Sequence, residues 1–210
     1  MSKNREIFVE FLRSKFDCEE KIKLKKIIEQ FDIYFSQLVE INSQINLFSR
    51  QTNIEDLWTL HFLDSLLILN TQANLEKKII CDFGTGGGLP GIPLAIIFPQ
   101  SQIYMLDSKQ KKLLSIEKMR EKIGLKNCQT IRARLEDIWQ NYEGFFDVIT
   151  CRALKILPEF VNPMKKIVKN NGKIFLYKSV ILDDCELFDN KKFHDVSQEK
   201  IGKRIIVEIN

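Results

Sequence analysis

Along the first seventy residues, apolar positions recur every three or four places. Ile7, Phe8, Phe11 and Leu12 form one such stripe, and Ile27, Ile28, Phe31, Tyr34, Phe35 and Leu38 form a second. That spacing gathers each set on one face of a helix. A third helix is expected over Asn53 to Leu69, with Leu57, Leu60, Leu63, Leu67 and Ile68 on its buried side. The polar stretch NTQANLEKK, Asn70 to Lys78, then marks a boundary. Residues 1–70 read as a helical extension, and residues 75–210 as a separate α/β domain.

Past the boundary the rhythm changes. KIICDF, QIYMLD, CQTIRA, FFDVIT, KIFLYK and RIIVEI are short apolar runs that read as buried strands. Amphipathic segments such as SKQKKLLSIEKMREKIG and LPEFVNPMKKIVKNNG separate most of them. Alternating strand and helix predicts a mostly parallel, Rossmann-like sheet covered on both faces. No comparable helix separates the last two candidates, so the final strand is expected to run antiparallel.

Composition narrows the class. At 210 residues and 44% hydrophobic, the chain has enough apolar material for a real core, which excludes disorder. No apolar run approaches the ~20 residues of a membrane span, and the opening MSKNREIFVEFLRSKF has no secretory core. Cys18, Cys81, Cys128, Cys151 and Cys185 are odd in number, widely spaced and without a CxxC pair. That pattern argues against a disulfide framework and a metal site, and suits a reducing cytoplasm.

Charge leaves two readings open. Lys165, Lys166, Lys169, Lys173 and Lys178 fall in a stretch with no acidic residue. A second basic stretch carries Lys109, Lys111, Lys112, Lys118, Arg120, Lys122 and Lys126, diluted by Glu117 and Glu121. Both are either solvated surface or a footprint for a phosphate backbone.

The chemistry concentrates at IICDFGTGGGLPGIPLAII, where five of the nine glycines lie between Gly84 and Gly91. A glycine turn between strand and helix brings backbone N–H groups close to a ligand. Pro90 and Pro93 fall in the expected first helical turn, where a missing N–H costs little. Asp107 ends the next strand, in the position of a ribose-binding carboxylate. Two registers fit. Gly86-Gly87-Gly88-Leu89-Pro90-Gly91 satisfies the dinucleotide pattern G-x-G-x-x-G, and Asp82 to Gly88 satisfies D-x-G-x-G-x-G, a loop that holds S-adenosylmethionine. The second starts its glycines at the strand end. No tyrosine is followed four places on by the lysine a short-chain dehydrogenase would need.

These residues carry a resemblance. DFGTGGGLPGIPLAI, with INLFS (Ile45 to Ser49), HFLDSL (His61 to Leu66), MLDS (Met105 to Ser108), RLED (Arg134 to Asp137) and CRAL (Cys151 to Leu154), resembles the glucose-inhibited division protein B family. These are small-subunit ribosomal RNA guanine-N7 methyltransferases, and the likeness runs from about Ile41 to Lys178. It implies a class I methyltransferase sheet, S-adenosylmethionine as cofactor, and 16S ribosomal RNA or the small ribosomal subunit as partner, with a monomer as the default. It also implies a ligand set. Gly84, Gly86 and Leu89 would line the cofactor loop, Asp107 would hold the ribose, and Leu135 and Glu136 would flank the adenine. Arg152 would reach the cofactor or substrate side of the cleft. Gly87 stands where the family has proline, Cys151 where it has serine, Leu60 where it has arginine, and Ser179 where it has glycine. The last thirty residues match poorly.

Guanine N7 offers an in-plane lone pair and no proton, so methylation there needs alignment and no general base. The chain has only His61 and His194, and its strand ends hold no acid–base dyad. The positioning candidates are Arg152, Lys178 and His61. His61 is either a half-buried histidine holding a backbone group or an RNA contact, and Lys178 a phosphate contact or surface. Asp64 is expected to cap or pair locally. A nucleophilic Cys151 is the minority alternative. The competing functions are a nicotinamide-dependent oxidoreductase and a non-catalytic RNA-binding assembly module.

Overall fold

The computed structural model describes residues 2–16 and 20–210, so Cys18 lies outside the described residues. Helix α1 (Lys3–Arg13) starts on Ser2, whose hydroxyl accepts from the Arg5 N–H, and buries Phe8, Val9, Phe11 and Leu12. Helix α2 (Lys21–Asn42) buries Ile27, Phe31, Tyr34 and Leu38 on one stripe. Both follow the apolar spacing of the sequence.

The third helical segment differs from expectation. It is a composite of a 3-10 turn (Ile54–Asp56), a π-helical stretch (Leu57–Leu63), the short helix α3 (Asp64–Leu66) and a second 3-10 turn (Leu67–Asn70). The reason lies in its surroundings. Leu57, Trp58, Phe62, Leu63, Leu66, Leu67 and Ile68 are all buried, so the segment is covered nearly all round. Tertiary packing, rather than a single amphipathic stripe, sets its winding. Phe8, Phe31 and Tyr34 meet Phe62 there, with ring centroids 6.1, 5.5 and 4.9 Å away.

Among the described residues seven strands form one sheet: β1 (Ile79–Phe83), β2 (Gln102–Asp107), β3 (Cys128–Arg132), β4 (Phe146–Arg152), β5 (Val168–Lys178), β6 (Lys191–Asp195) and β7 (Ile205–Ile209), in the order β3-β2-β1-β4-β5-β7-β6. Strands β1 to β5 pair in parallel, and β7 inserts antiparallel between β5 and β6. The mostly parallel sheet and the antiparallel final strand are as expected. Helices α4 (Gly91–Ile97) and α5 (Gln110–Ile123) share a continuous core with α1, α2 and the composite segment. Helices α6 (Leu135–Ile138) and α7 (Pro158–Ile167) bury residues in the second core.

Two features escaped the sequence pattern. Strand β6, KKFHD, is a mostly polar edge strand with Phe193 left exposed, so it has no apolar signature. Strand β5 begins at Val168, inside the stretch that reads as helix. Its register shifts between Phe146 and Val148, and a Cβ on Gly172 would come within 2.8 Å of the Asp147 carbonyl. The glycine is what lets the irregular strand lie against β4.

Candidate active site

The glycine loop is shaped by its own backbone. Gly84, Gly86 and Gly88 take φ of 74°, 59° and 91°, a region where a side chain is strained. The N–H groups of Gly84 and Thr85 donate to the Leu106 carbonyl at 2.9 and 3.1 Å, stitching the loop to the end of β2. Tyr34, from α2, donates its hydroxyl to the Gly87 carbonyl at 2.9 Å. Leu38 and Leu47 stand 3.4 and 3.3 Å from where a Gly87 Cβ would be. The N-terminal helices therefore form the back wall of the loop.

Asp82, next to last in β1, fastens the other end. Its carboxylate accepts from the Gly91 N–H at 2.8 Å and from the Thr150 hydroxyl at 3.4 Å. It is fully buried, and burial pushes its pKa up to about 6 against the pull of those hydrogen bonds. At the first turn of α4 the orphan N–H thus has a buried acceptor. A Cβ on Gly91 would lie 2.6 Å from Met105 and 2.8 Å from Asp82, so this glycine permits close helix–sheet packing.

A cavity of about 400 Å³ opens where β1 to β4 end. It is lined by Phe83 and Gly84 at the end of β1, Leu106, Asp107 and Ser108 at the end of β2, Leu135 and Glu136 after β3, and Ala153 and Leu154 after β4. Ligands of open α/β sheets bind at such carboxyl ends, beside the point where strand order reverses. Here that point is the junction of β1 and β4. Asp107 accepts from the Gly86 N–H at 3.1 Å and the Lys109 N–H at 2.8 Å, which fixes its carboxylate at the rim. Gly84, Asp107, Leu135 and Glu136 of the expected ligand set thus line one cavity. Gly86 borders the cavity through Asp107, and Leu89 is buried in the core behind the loop.

Arg152 lies elsewhere. Its side chain enters a second cavity of about 220 Å³, bounded by Leu60, Asp64, Arg152, Tyr177, Lys178 and Arg204 among others. Ala153, held at a left-handed φ of 54°, lines both cavities and forms the partition between them. The Arg152 guanidinium is held at both terminal nitrogens, while its buried Nε has no partner among the described residues. Nη1 donates to Asp64 Oδ2 at 2.6 Å and to the Leu60 carbonyl at 3.2 Å, and Nη2 lies 3.1 Å from His61 Nδ1. Arginine has no acceptor, so that ring nitrogen must be the unprotonated one. Burial first, then Arg152, pulls the His61 pKa down to about 4. His61 therefore holds an arginine rather than a backbone group, and the π-helical stretch supplies both His61 and the Leu60 carbonyl. Asp64 pairs across 88 and 140 residues, not locally: its other oxygen accepts from Arg204 Nε at 2.7 Å.

Lys178 is already engaged. Its ammonium donates to Asp184 Oδ2 at 2.5 Å and to the Leu154 carbonyl at 3.3 Å, and the same carboxylate accepts from the Ile156 N–H at 2.6 Å. Burial alone would raise the Asp184 pKa, but these partners hold it below the usual carboxylate range. The node ties the loop after β4 to the loop after β5. The rest of the acid-free stretch also finds partners from distant sequence. Lys169 meets Asp147 at 2.8 Å, Lys173 meets Glu208, Lys165 lies 3.9 Å from Asp189, and Lys166 sits 3.5 Å over the Trp139 ring. These four lie around the start of β5, at the end of the sheet opposite the cavities. Lys112 lines the larger cavity, with Lys109 and Lys111 exposed beside it. Cys151 is buried in the sheet, and burial followed by the nearby Asp82 drives its thiol well above the ordinary range, leaving no thiolate at neutral pH.

The strand order and the cavity at the first strand ends define a Rossmann-like methyltransferase fold. Solved structures agree: a SAM dependent methyltransferase from Aquifex aeolicus matches with a TM-score of 0.58 at 15% identity, covering 84% of this chain and 98% of that one. A precorrin-6y C5,15-methyltransferase from Geobacter metallireducens matches with a TM-score of 0.56 at 13% identity, covering 70% and 87%. Sequence gives the narrower answer. The GidB family, rRNA small subunit methyltransferase G, matches residues 27–203, and the chain belongs to that family. It is 35% identical over 206 residues to the ribosomal RNA small subunit methyltransferase G of Lactococcus lactis subsp. cremoris, covering 95% of this chain and 84% of that protein. Identity to the protein of the same name from Lactobacillus acidophilus is 33% over 205 residues, covering 94% and 81%.

Asp64, Ala153, Asp184 and Arg204 are the site residues the sequence reading did not assign. HFLDSL flagged Asp64 without its partners, and Arg204 lies just beyond the matched family region.

Proposed function

We propose that this chain transfers a methyl group from S-adenosylmethionine to N7 of a guanosine in 16S ribosomal RNA. The observation that carries the reading is the 400 Å³ cavity with Asp107 at its rim and a side-chain-free Gly84 at its floor, in a chain of this family. The residues fit the cofactor. Each Asp107 oxygen accepts one backbone N–H and keeps acceptor capacity for sugar hydroxyls. Phe83, Leu106, Leu135, Leu154 and Phe160 give apolar walls for a flat purine, and Glu136 gives an acceptor beside them. A Cβ on Gly84 would stand 3.2 Å from Leu154 Cδ2 and narrow the space further.

Adenosylmethionine supplies an electrophilic methyl group when bound. The chain's own contribution is to hold the donor in the larger cavity and to present the base from the side of the smaller one. Three of the titratable groups at the strand ends and behind the cavities are not poised to move a proton. His61 accepts from Arg152 and stays neutral, Cys151 is buried as a thiol, and Asp82 is committed to the Gly91 N–H. A nucleophile with a free lone pair and no proton, such as guanine N7, needs nothing more than alignment. Lys109, Lys111, Lys112 and Arg134, at the mouth of the larger cavity, support an RNA strand arriving over this face. The lysines around the start of β5, at the far end and paired, are removed from that footprint.

Transfer of labelled methyl groups to undermethylated small subunits, with digestion and identification of the product nucleoside, tests the reading. 7-Methylguanosine is expected. Another methylated nucleoside refutes the position, and no transfer despite adenosylmethionine binding favours a non-catalytic assembly role.

A further inference from the structure

The smaller cavity carries a charge that the protein does not neutralise. Four charged side chains line it: Asp64, Arg152, Lys178 and Arg204. Lys178 is balanced by Asp184, whose side chain is 3% exposed. The single Asp64 carboxylate bridges two guanidinium groups, Arg152 at 2.6 Å and Arg204 at 2.7 Å. His61, the remaining group against Arg152, is neutral with a pKa near 4. One positive charge is therefore left over in a partly enclosed space. The two arginines are not equivalent. Arg152 is held on both terminal nitrogens and is 11% exposed. Arg204 is 25% exposed and gives Nε to Asp64 and Nη1 to the Lys203 carbonyl at 2.8 Å, while its Nη2 makes no hydrogen bond among the described residues.

We propose that Arg204 is a substrate-contacting residue, and that the smaller cavity receives a backbone phosphate of the nucleotide being methylated on the free Nη2 of its guanidinium. The inference rests on the RNA methyltransferase reading above and deepens it. A phosphodiester supplies the one negative charge the cavity lacks, and a charged guanidinium N–H donates a strong hydrogen bond to a phosphate oxygen. Asp64 acts as the positioning residue: by accepting from Nε it fixes the guanidinium and leaves Nη2 for the incoming phosphate. Ala153, shared by both cavities, places the phosphate one residue away from the cofactor.

The test compares wild type with R204Q and R204K. Binding to unmethylated 16S ribosomal RNA transcript is followed across salt concentration, alongside steady-state kinetics on undermethylated subunits and calorimetry with adenosylmethionine. R204Q should leave adenosylmethionine affinity within about twofold and raise KM for RNA about tenfold with little change in kcat. The slope of log affinity against log salt should become shallower by ~0.7 to 0.9, the effect of one lost phosphate contact. R204K should restore the slope, because the charge remains, yet keep a raised KM, because lysine cannot hold Asp64 and a phosphate at once. A wild-type salt slope in R204Q overturns the proposal. If R204Q loses adenosylmethionine binding through misfolding, R204K decides: a wild-type KM overturns the assignment and a raised one supports it. Absence of adenosylmethionine binding by the wild type would instead overturn the parent reading.

Discussion

Replacing Asp82 with asparagine should uncouple folding stability from pH in the mildly acidic range. The carboxylate is fully buried near the end of β1, and its pKa rises from an ordinary 3.8 to about 6. A raised pKa means the folded state holds this proton more tightly than the unfolded state. The group's contribution is therefore greatest below about pH 4 and is lost as pH climbs through about 6. At 1.36 kcal/mol per pH unit the loss amounts to ~3 kcal/mol. Asparagine preserves the geometry, since its carbonyl oxygen accepts from the Gly91 N–H and its amide faces Thr150, but it cannot ionise. Urea denaturation of both proteins from pH 4 to 8 isolates the effect as their difference. The D82N protein should gain ~3 kcal/mol relative to wild type between pH 4 and pH 7, with no further change above. A difference that is flat with pH, or that favours wild type as pH rises, would refute the assignment of a costly buried charge.

Three further outcomes follow from the site. G84V forces a β-branched residue into φ 74° with Leu154 3.2 Å from its Cβ, so adenosylmethionine affinity should fall at least ~100-fold by calorimetry while the fold survives by circular dichroism. D107A removes an acceptor from both the cofactor and the Gly86 and Lys109 N–H groups; affinity should drop ~10- to 100-fold, with D107N intermediate. C151S should retain methyl transfer within about twofold, because the buried thiol has no chemical part; loss of ~1000-fold activity in a folded C151S protein would point to a nucleophile after all.

How much of this was legible in the sequence varies by kind of signal. Strands β1, β2, β4 and β7 and the second half of β5 were readable because interior strands, buried on both faces, are largely continuous apolar runs. The glycine loop and Asp107 were readable because positive φ and a strand-end carboxylate demand particular residue types. Strand β6 was hidden because an edge strand of lysines carries no hydrophobic rhythm. The composite winding of residues 54–70 was hidden because burial on every side erases the amphipathic stripe. The acid-free lysine stretch left solvated surface and RNA footprint both open for a related reason. Charge along the chain cannot show that Asp147, Asp189 and Glu208 return to meet Lys169, Lys165 and Lys173. Arg152 was expected on the cofactor or substrate side of the cleft, but it lines the smaller cavity, and its clamp of Asp64, His61 and the Leu60 carbonyl joins residues about ninety positions apart and depends on the tertiary fold.

The most direct test is a crystal of the protein soaked with S-adenosylmethionine. Density for the donor is expected in the cavity bounded by Gly84, Asp107, Leu135 and Glu136, with the sugar on the Asp107 carboxylate. A well-ordered crystal in which that cavity stays empty at saturating donor, or in which the donor binds at another place, would contradict the account.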